Sequence, residues 1–122
     1  MNTAAKLSPA DLRQFTGTER WYRHALNRDV LFTDGAKYVA DIGGAHWLLD
    51  LIALAQRYDK RVRGQPFQVW ALSVGPDHAA KITAEDGNYN LLSTHKVAYT
   101  DFPAAGITLF FSNNTIYLPS EH

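Results

Sequence analysis

The apolar positions change period part-way along the chain. Between residues 43 and 61, in "GGAHWLLDLIALAQRYDKR", they recur at helical spacing. His46, Asp50, Ala53 and Arg57 share one narrow stripe, and Trp47, Leu48, Leu51, Ile52, Leu54, Ala55 and Tyr58 cover the rest. A helix apolar over most of its circumference is expected to be the central helix of its domain. After residue 65 the period drops to two. "FQVWALSV" reads as a strand inside a sheet, because both of its faces are apolar. "AAKITAE" and "NYNLLSTHKVAY" flank the turn signal "DGN", and "GITLFFS" and "TIYLP" flank "NN"; each reads as a hairpin.

The N-terminal half carries weaker signals. "LSPADLRQF" predicts a short helix, with Ser8 as N-cap, Pro9 at the first helical position and Asp11 returning to the cap. "TERWYRHAL" predicts a short strand. "LFTDGAKYVADIGG" allows a tight turn at Asp34-Gly35 or a helix capped by Asp34 and stopped by Gly43-Gly44. The helix is preferred, since Ala36 to Asp41 is poor in β-branched residues. "DKRVRGQP" reads as an exposed loop. The expected fold is therefore a single α+β domain. N-terminal helices (about 8–58) would pack on a C-terminal antiparallel meander of four to five strands (about 66–119).

Composition bounds the function more than it names it. Apolar residues make up 46% and charged residues 20% of the 122, ordinary globular usage. With no cysteine, disulfides, thiolate zinc sites and cysteine nucleophiles are excluded. The first residues lack the apolar stretch of a secretory signal, and a cytoplasmic protein without a membrane span is expected. The net charge is zero but unevenly spread. Residues 1–63 hold ten Lys/Arg and seven Asp/Glu, the remainder two and five. That asymmetry falls short of a nucleic-acid footprint.

Most of the chain resembles a known family. "YRH", "DGAKYVADIGGAHWLLDLIALAQ", "FQVWALSV", "YTDFP" and "TIYLPSEH" are similar to a group of small bacterial proteins classed as a domain of unknown function. Such proteins are met on plasmids, prophages and other mobile elements. The resemblance implies that origin here, and with it a protein that binds a host or element-encoded partner, such as an inhibitor of a CRISPR-type defence effector. It brings no active site to carry over.

Candidate chemistry is sparse. In "RWYRH" (Arg20, Trp21, Tyr22, Arg23 and His24) arginine interleaves with aromatics, a composition suited to a protein interface or to base stacking. Strand alternation sets Trp21 and Arg23 on one side, against Arg20, Tyr22 and His24. The basic loop residues Lys60, Arg61 and Arg63 are the second candidate contact. His46 and Asp50, four apart on one helix face, with Asp101 in "YTDFP", form the alternative: a polar cleft for a small hydrolase or ligand sensor. Against it, Asp50 reads more simply as a polar stripe or a structural anchor than as a catalyst. The five histidines show no metal-ligand spacing, and no G-x-S-x-G elbow or phosphate loop occurs, so neither cofactor nor metal is expected. The final hairpin, with Phe110, Phe111, Ile116, Tyr117 and Leu118, carries large side chains on both faces, which suggests a homodimer through it. The leading expectation is a non-enzymatic protein-binding module, with the polar-cleft enzyme second and a nucleic-acid module third.

Overall fold

The computed structural model describes residues 7–122. A short helix α1 (Pro9–Leu12) is followed by strands β1 (Trp21–Arg23) and β2 (Leu31–Thr33). Helices α2 (Asp34–Gly43) and α3 (His46–Tyr58) come next. Strands β3 (Phe67–Val74), β4 (Ala80–Asp86), β5 (Leu91–Val97), β6 (Gly106–Ser112) and β7 (Thr115–Tyr117) complete the sheet, and a 3-10 turn covers Pro119–Glu121.

All seven strands join one sheet in the order β1-β2-β7-β6-β3-β4-β5. Every pair is antiparallel except β2–β7, which is parallel. The architecture is thus mostly sheet and mixed, not helices followed by an antiparallel meander of four to five strands. The difference arises from β1 and β2. β1 falls within the short strand expected in "TERWYRHAL", but β2 is only three residues long and takes its place from β7, far along the chain, which carries β1 into the sheet with it. Leu31 N–H donates to the carbonyl of Asn114, in the turn of the last hairpin, at 2.8 Å.

Both expected hairpins form. Asn113 and Asn114 take left-handed φ of 52° and 59°, the two positive angles that a two-residue turn between twisted strands requires. β3 does lie inside the sheet, between β4 and β6. The final hairpin is also internal, because β7 pairs with β2 on its far side. Its apolar content therefore reflects a central position, with β7 covered on its far side by β2.

Ser8 and Asp11 build the expected cap of α1. The Ser8 hydroxyl donates to the Asp11 carboxylate at 2.6 Å and accepts the Asp11 N–H at 3.2 Å. The cap of α2 is Thr33 rather than Asp34; its Oγ1 accepts the Ala36 N–H at 3.1 Å. At the other end Gly44 adopts a φ of 61°, and Ala45 N–H returns to the Ala40 carbonyl at 2.9 Å, so the chain turns directly into α3.

α2 and α3 cover one sheet face. Gln68, Trp70, Leu72, Ile82, Ala84, Leu109, Phe111 and Ile116 point to that side and are buried, together with Val39, Leu48, Leu49, Ile52 and Ala53. Ala53 thus belongs to the core and not to the polar stripe. α3 is two-sided rather than enclosed, since Tyr58 stays 72% exposed. Gln68 is a buried polar residue among them. Its side chain exchanges hydrogen bonds with Gln56 of α3 at 2.7 and 2.9 Å, and its Oε1 accepts from the Trp70 indole at 2.9 Å. Its Nε2 also reaches the Val62 carbonyl at 3.1 Å, which ties the loop after α3 to the sheet. A buried amide with this many partners satisfies its groups. The opposite face holds Phe67, Val69, Thr83, Thr108 and Phe110, all partly exposed.

Candidate functional site

One edge of the sheet is β1, and its residues divide by parity. Tyr22 and His24 turn toward the helices: Tyr22 stacks on Phe32 at 5.6 Å, and His24 is buried. Trp21, 54% exposed, and Arg23 point to the other face. The expected alternation holds, and the edge strand leaves its tryptophan in solvent.

His24 organises the turn that follows. Its Nδ1 accepts the N–H groups of Leu26 and Asn27, at 3.0 and 3.2 Å. The ring proton therefore sits on Nε2, which donates to Asp50 Oδ1 at 2.8 Å. Asp50 is an anchor: it fixes a buried imidazole from α3. The same arrangement removes the pair from base catalysis, because the nitrogen that would take a proton is already occupied by backbone donors.

A chain of contacts then runs from β1 to the end of α3. The Arg23 guanidinium donates to the Arg28 carbonyl. Asn27 Nδ2 donates to the Ala53 carbonyl at 2.8 Å, and its Oδ1 accepts from Arg57 at 3.2 Å. Arg57 lies 3.6 Å from Asp29. Arg63 donates to the Arg57 carbonyl at 3.4 Å. Next to it, Arg61 grips Asp59 through two bonds at 3.1 Å, which holds the Asp59 carboxyl below its ordinary range. Lys60 is exposed. The segment "RWYRH" and the basic loop thereby meet through Arg57 and Arg63. Exposed Leu26 (57%) belongs to the same stretch, whereas Tyr58, Lys60 and Arg61 line a groove with His95 of β5 at the opposite edge of the sheet. Arg28 and Arg57 complete the stretch at β1; nothing in the pattern of residues singled them out, because only the fold brings the β1–β2 turn against α3.

The polar-cleft residues do not meet. His46 bonds to Asp41 at 2.7 Å on the exposed side of α2 and α3, where Lys37 also holds the Asp41 carboxyl below its usual value. Asp50 serves His24. Asp101 is exposed and lines a groove with Gly44, Trp47 and Tyr99, to which neither His46 nor Asp50 contributes. Among the described residues no three His, Asp or Glu side chains gather as a metal site would need.

On the far side of Trp21 lies a second polar feature, centred on Glu121. A cleft of about 470 Å³ is lined by Thr18, Trp21, Thr33, Tyr117, Glu121 and His122, among others. Glu121 accepts from Thr33 Oγ1 and from Leu118 N–H, both at 2.8 Å, and from Thr18 Oγ1 at 3.3 Å. Gly35 makes room for it: a Cβ there would sit 2.5 Å from the Glu121 carboxylate. Burial raises the Glu121 carboxyl above its ordinary 4.5, and neighbouring Asp34 pushes the same way, against the bonds from Leu118 and Thr33. His122 stacks on Tyr117 at 5.8 Å. With all its bonds made, Glu121 clamps the C-terminal turn onto the start of α2.

Residues 6–122 match the model of a family of unknown function, DUF6876. The chain belongs to that family. No curated protein and no solved structure matches it. The family match spans β1 through the C-terminal turn, so the basic edge and the Glu121 clamp both lie within the shared region. Among the described residues no helix is long and apolar enough to cross a membrane.

Proposed function

We propose that the protein is a non-enzymatic binding module that engages an acidic partner protein through the edge formed by β1, the β1–β2 turn and the end of α3. The observation that carries this reading is the meeting of two sequence-distant basic segments through Arg23, Arg28, Arg57 and Arg63, with Trp21 and Leu26 exposed beside them. Exposed tryptophan and arginine supply large contact area with polar handles, the composition of interface hot spots. A basic rim steers an acidic partner and sharpens its selection. The partner, on this reading, is a host or element-encoded protein, and inhibition of a host defence effector by a mobile-element product is its most concrete form.

The test is affinity capture of the tagged protein from a bacterial lysate, beside a Trp21→Ala/Arg23→Ala variant of matched stability. A stoichiometric protein partner retained by the native surface and lost by the variant is the expected result. Retention by both removes this edge from the interface. Capture of nucleic acid instead, with affinity falling steeply in salt, would move the surface to nucleic-acid binding.

A further inference from the structure

A notch interrupts the sheet beside β6. Residues of β6 alternate between their two neighbours. Ala105 accepts from Val74 N–H at 2.8 Å, and Ile107 and Leu109 lie in register with Leu72 and Trp70, so the odd residues bond to β3. The even residues turn their N–H and C=O toward β7. Ser112 and Phe110 meet Thr115 and Tyr117 there, but β7 ends at Tyr117. The next position in register is Pro119, which has no N–H and opens the 3-10 turn. Among the described residues, Thr108 is thus left with a donor and an acceptor that no strand takes up.

That edge borders a cavity of about 590 Å³. Leu7, Leu12, Ile107 and Leu118 supply its apolar walls, and Arg13 lines it as well. Arg13 is exposed, and among the described residues it has no hydrogen bond or ion pair. The site combines an apolar body, a free backbone N–H and an unpaired guanidinium.

We propose that this notch binds a small carboxylic acid with an aliphatic chain. Its carboxylate would meet Arg13 and the Thr108 N–H, and its chain would lie against Leu7, Leu12 and Leu118. The volume falls within the range of small-molecule sites. A guanidinium recognises a carboxylate by paired, charge-assisted hydrogen bonds that neither an alcohol nor an ammonium can replace. The site is separate from the basic edge and stands or falls without it.

Titration calorimetry of the full chain with decanoate tests this, with decanol and decyltrimethylammonium as the neutral and cationic probes. Saturable one-to-one binding of decanoate is expected, with the other two about tenfold weaker or worse. Arg13→Gln should erase the preference for decanoate over decanol. Ser73→Trp, a substitution at an exposed position lining the cavity, should abolish binding while thermal unfolding stays near that of the native protein. Equal binding of decanol and decanoate, decanoate binding that survives Ser73→Trp, or no saturable binding at all would each overturn the proposal.

Discussion

At the scale of single residues, His24 shows how a group that looks chemical is held for structural ends. Its two nitrogens bond to three partners, two of them backbone N–H groups of the turn. His24→Ala strands those donors, and a buried donor without a partner costs about 1–3 kcal/mol. Urea unfolding should show a loss of about 2–4 kcal/mol for His24→Ala. Asp50→Asn keeps an acceptor for Nε2 and, at a half-exposed position, should cost less than about 1 kcal/mol. A larger loss for Asp50→Asn than for His24→Ala would contradict the arrangement. The anchoring role of Asp50 was within reach of the sequence, since a carboxylate on a core helix needs donors. The identity of its partner was not, because His24 sits on another element and only packing brings the two together.

Glu121 gives the residue scale a pH dependence. Its carboxyl is raised in the folded chain, chiefly by burial and further by Asp34. A carboxyl held above its unfolded value favours the protonated folded state. Its contribution is full below the unfolded value and is lost as pH rises through the folded one. Asp41, Asp59 and Asp86 run the other way, each held low by hydrogen bonds, so their contributions fade as the solution becomes acidic. Glu121→Gln removes only the first effect. Relative to the native chain, the variant should therefore gain stability between about pH 4 and pH 7. Chemical denaturation at the two pH values measures it, and a difference that is constant or of opposite sign would refute the assignment.

At the scale of elements, the turn at Asn113-Asn114 carries more than its own hairpin. Both residues are left-handed, and the Asn114 carbonyl receives β2. Asn114→Ala places an ordinary side chain in a conformation that costs roughly 1–2 kcal/mol, and should lower stability by about 1 kcal/mol. Asn114→Gly should be neutral or stabilising, since Asn-Gly suits this turn best. Equal losses in the two variants would show that the asparagine side chain, not the backbone angle, matters there. The same element marks the boundary of what sequence pattern conveys. β3 to β6 were legible because each runs seven or eight residues between clear turn signals. β1 was legible as a short strand but not its place in the sheet, and β2 was not, since three residues fit many patterns and its parallel pairing with β7 is a long-range contact. Gln68 shows the limit in reverse. Its parity with Trp70 and Leu72 placed it inside, yet its partners Gln56 and Val62 lie on a helix and a loop.

At the scale of the molecule, helices cover one sheet face, and the end of α3 brings Arg57 and Arg63 against the turn after β1. Arg23, Arg28, Arg57 and Arg63 are linked around that turn, whereas Lys60 and Arg61 line a groove with His95 of β5 at the opposite edge. The halves of the sequence already differed in charge, so the excess was visible. Its concentration was not, since it depends on the turn after β1 docking on α3 through Asn27 and Arg57. Such a surface should bind its partner with an on-rate that falls as salt is added, and reversing Arg23 or Arg57 to Glu should slow association more than it speeds release.

The central claim is the location of that surface, and hydrogen exchange measures it most directly. With the captured partner in saturating amounts, amides of residues 20–33 and 57–63 should exchange more slowly than in the free protein, while the β4–β5 hairpin keeps its free-state rates. Protection confined to β4–β5 or to α2, with the β1 edge unchanged, would contradict the account.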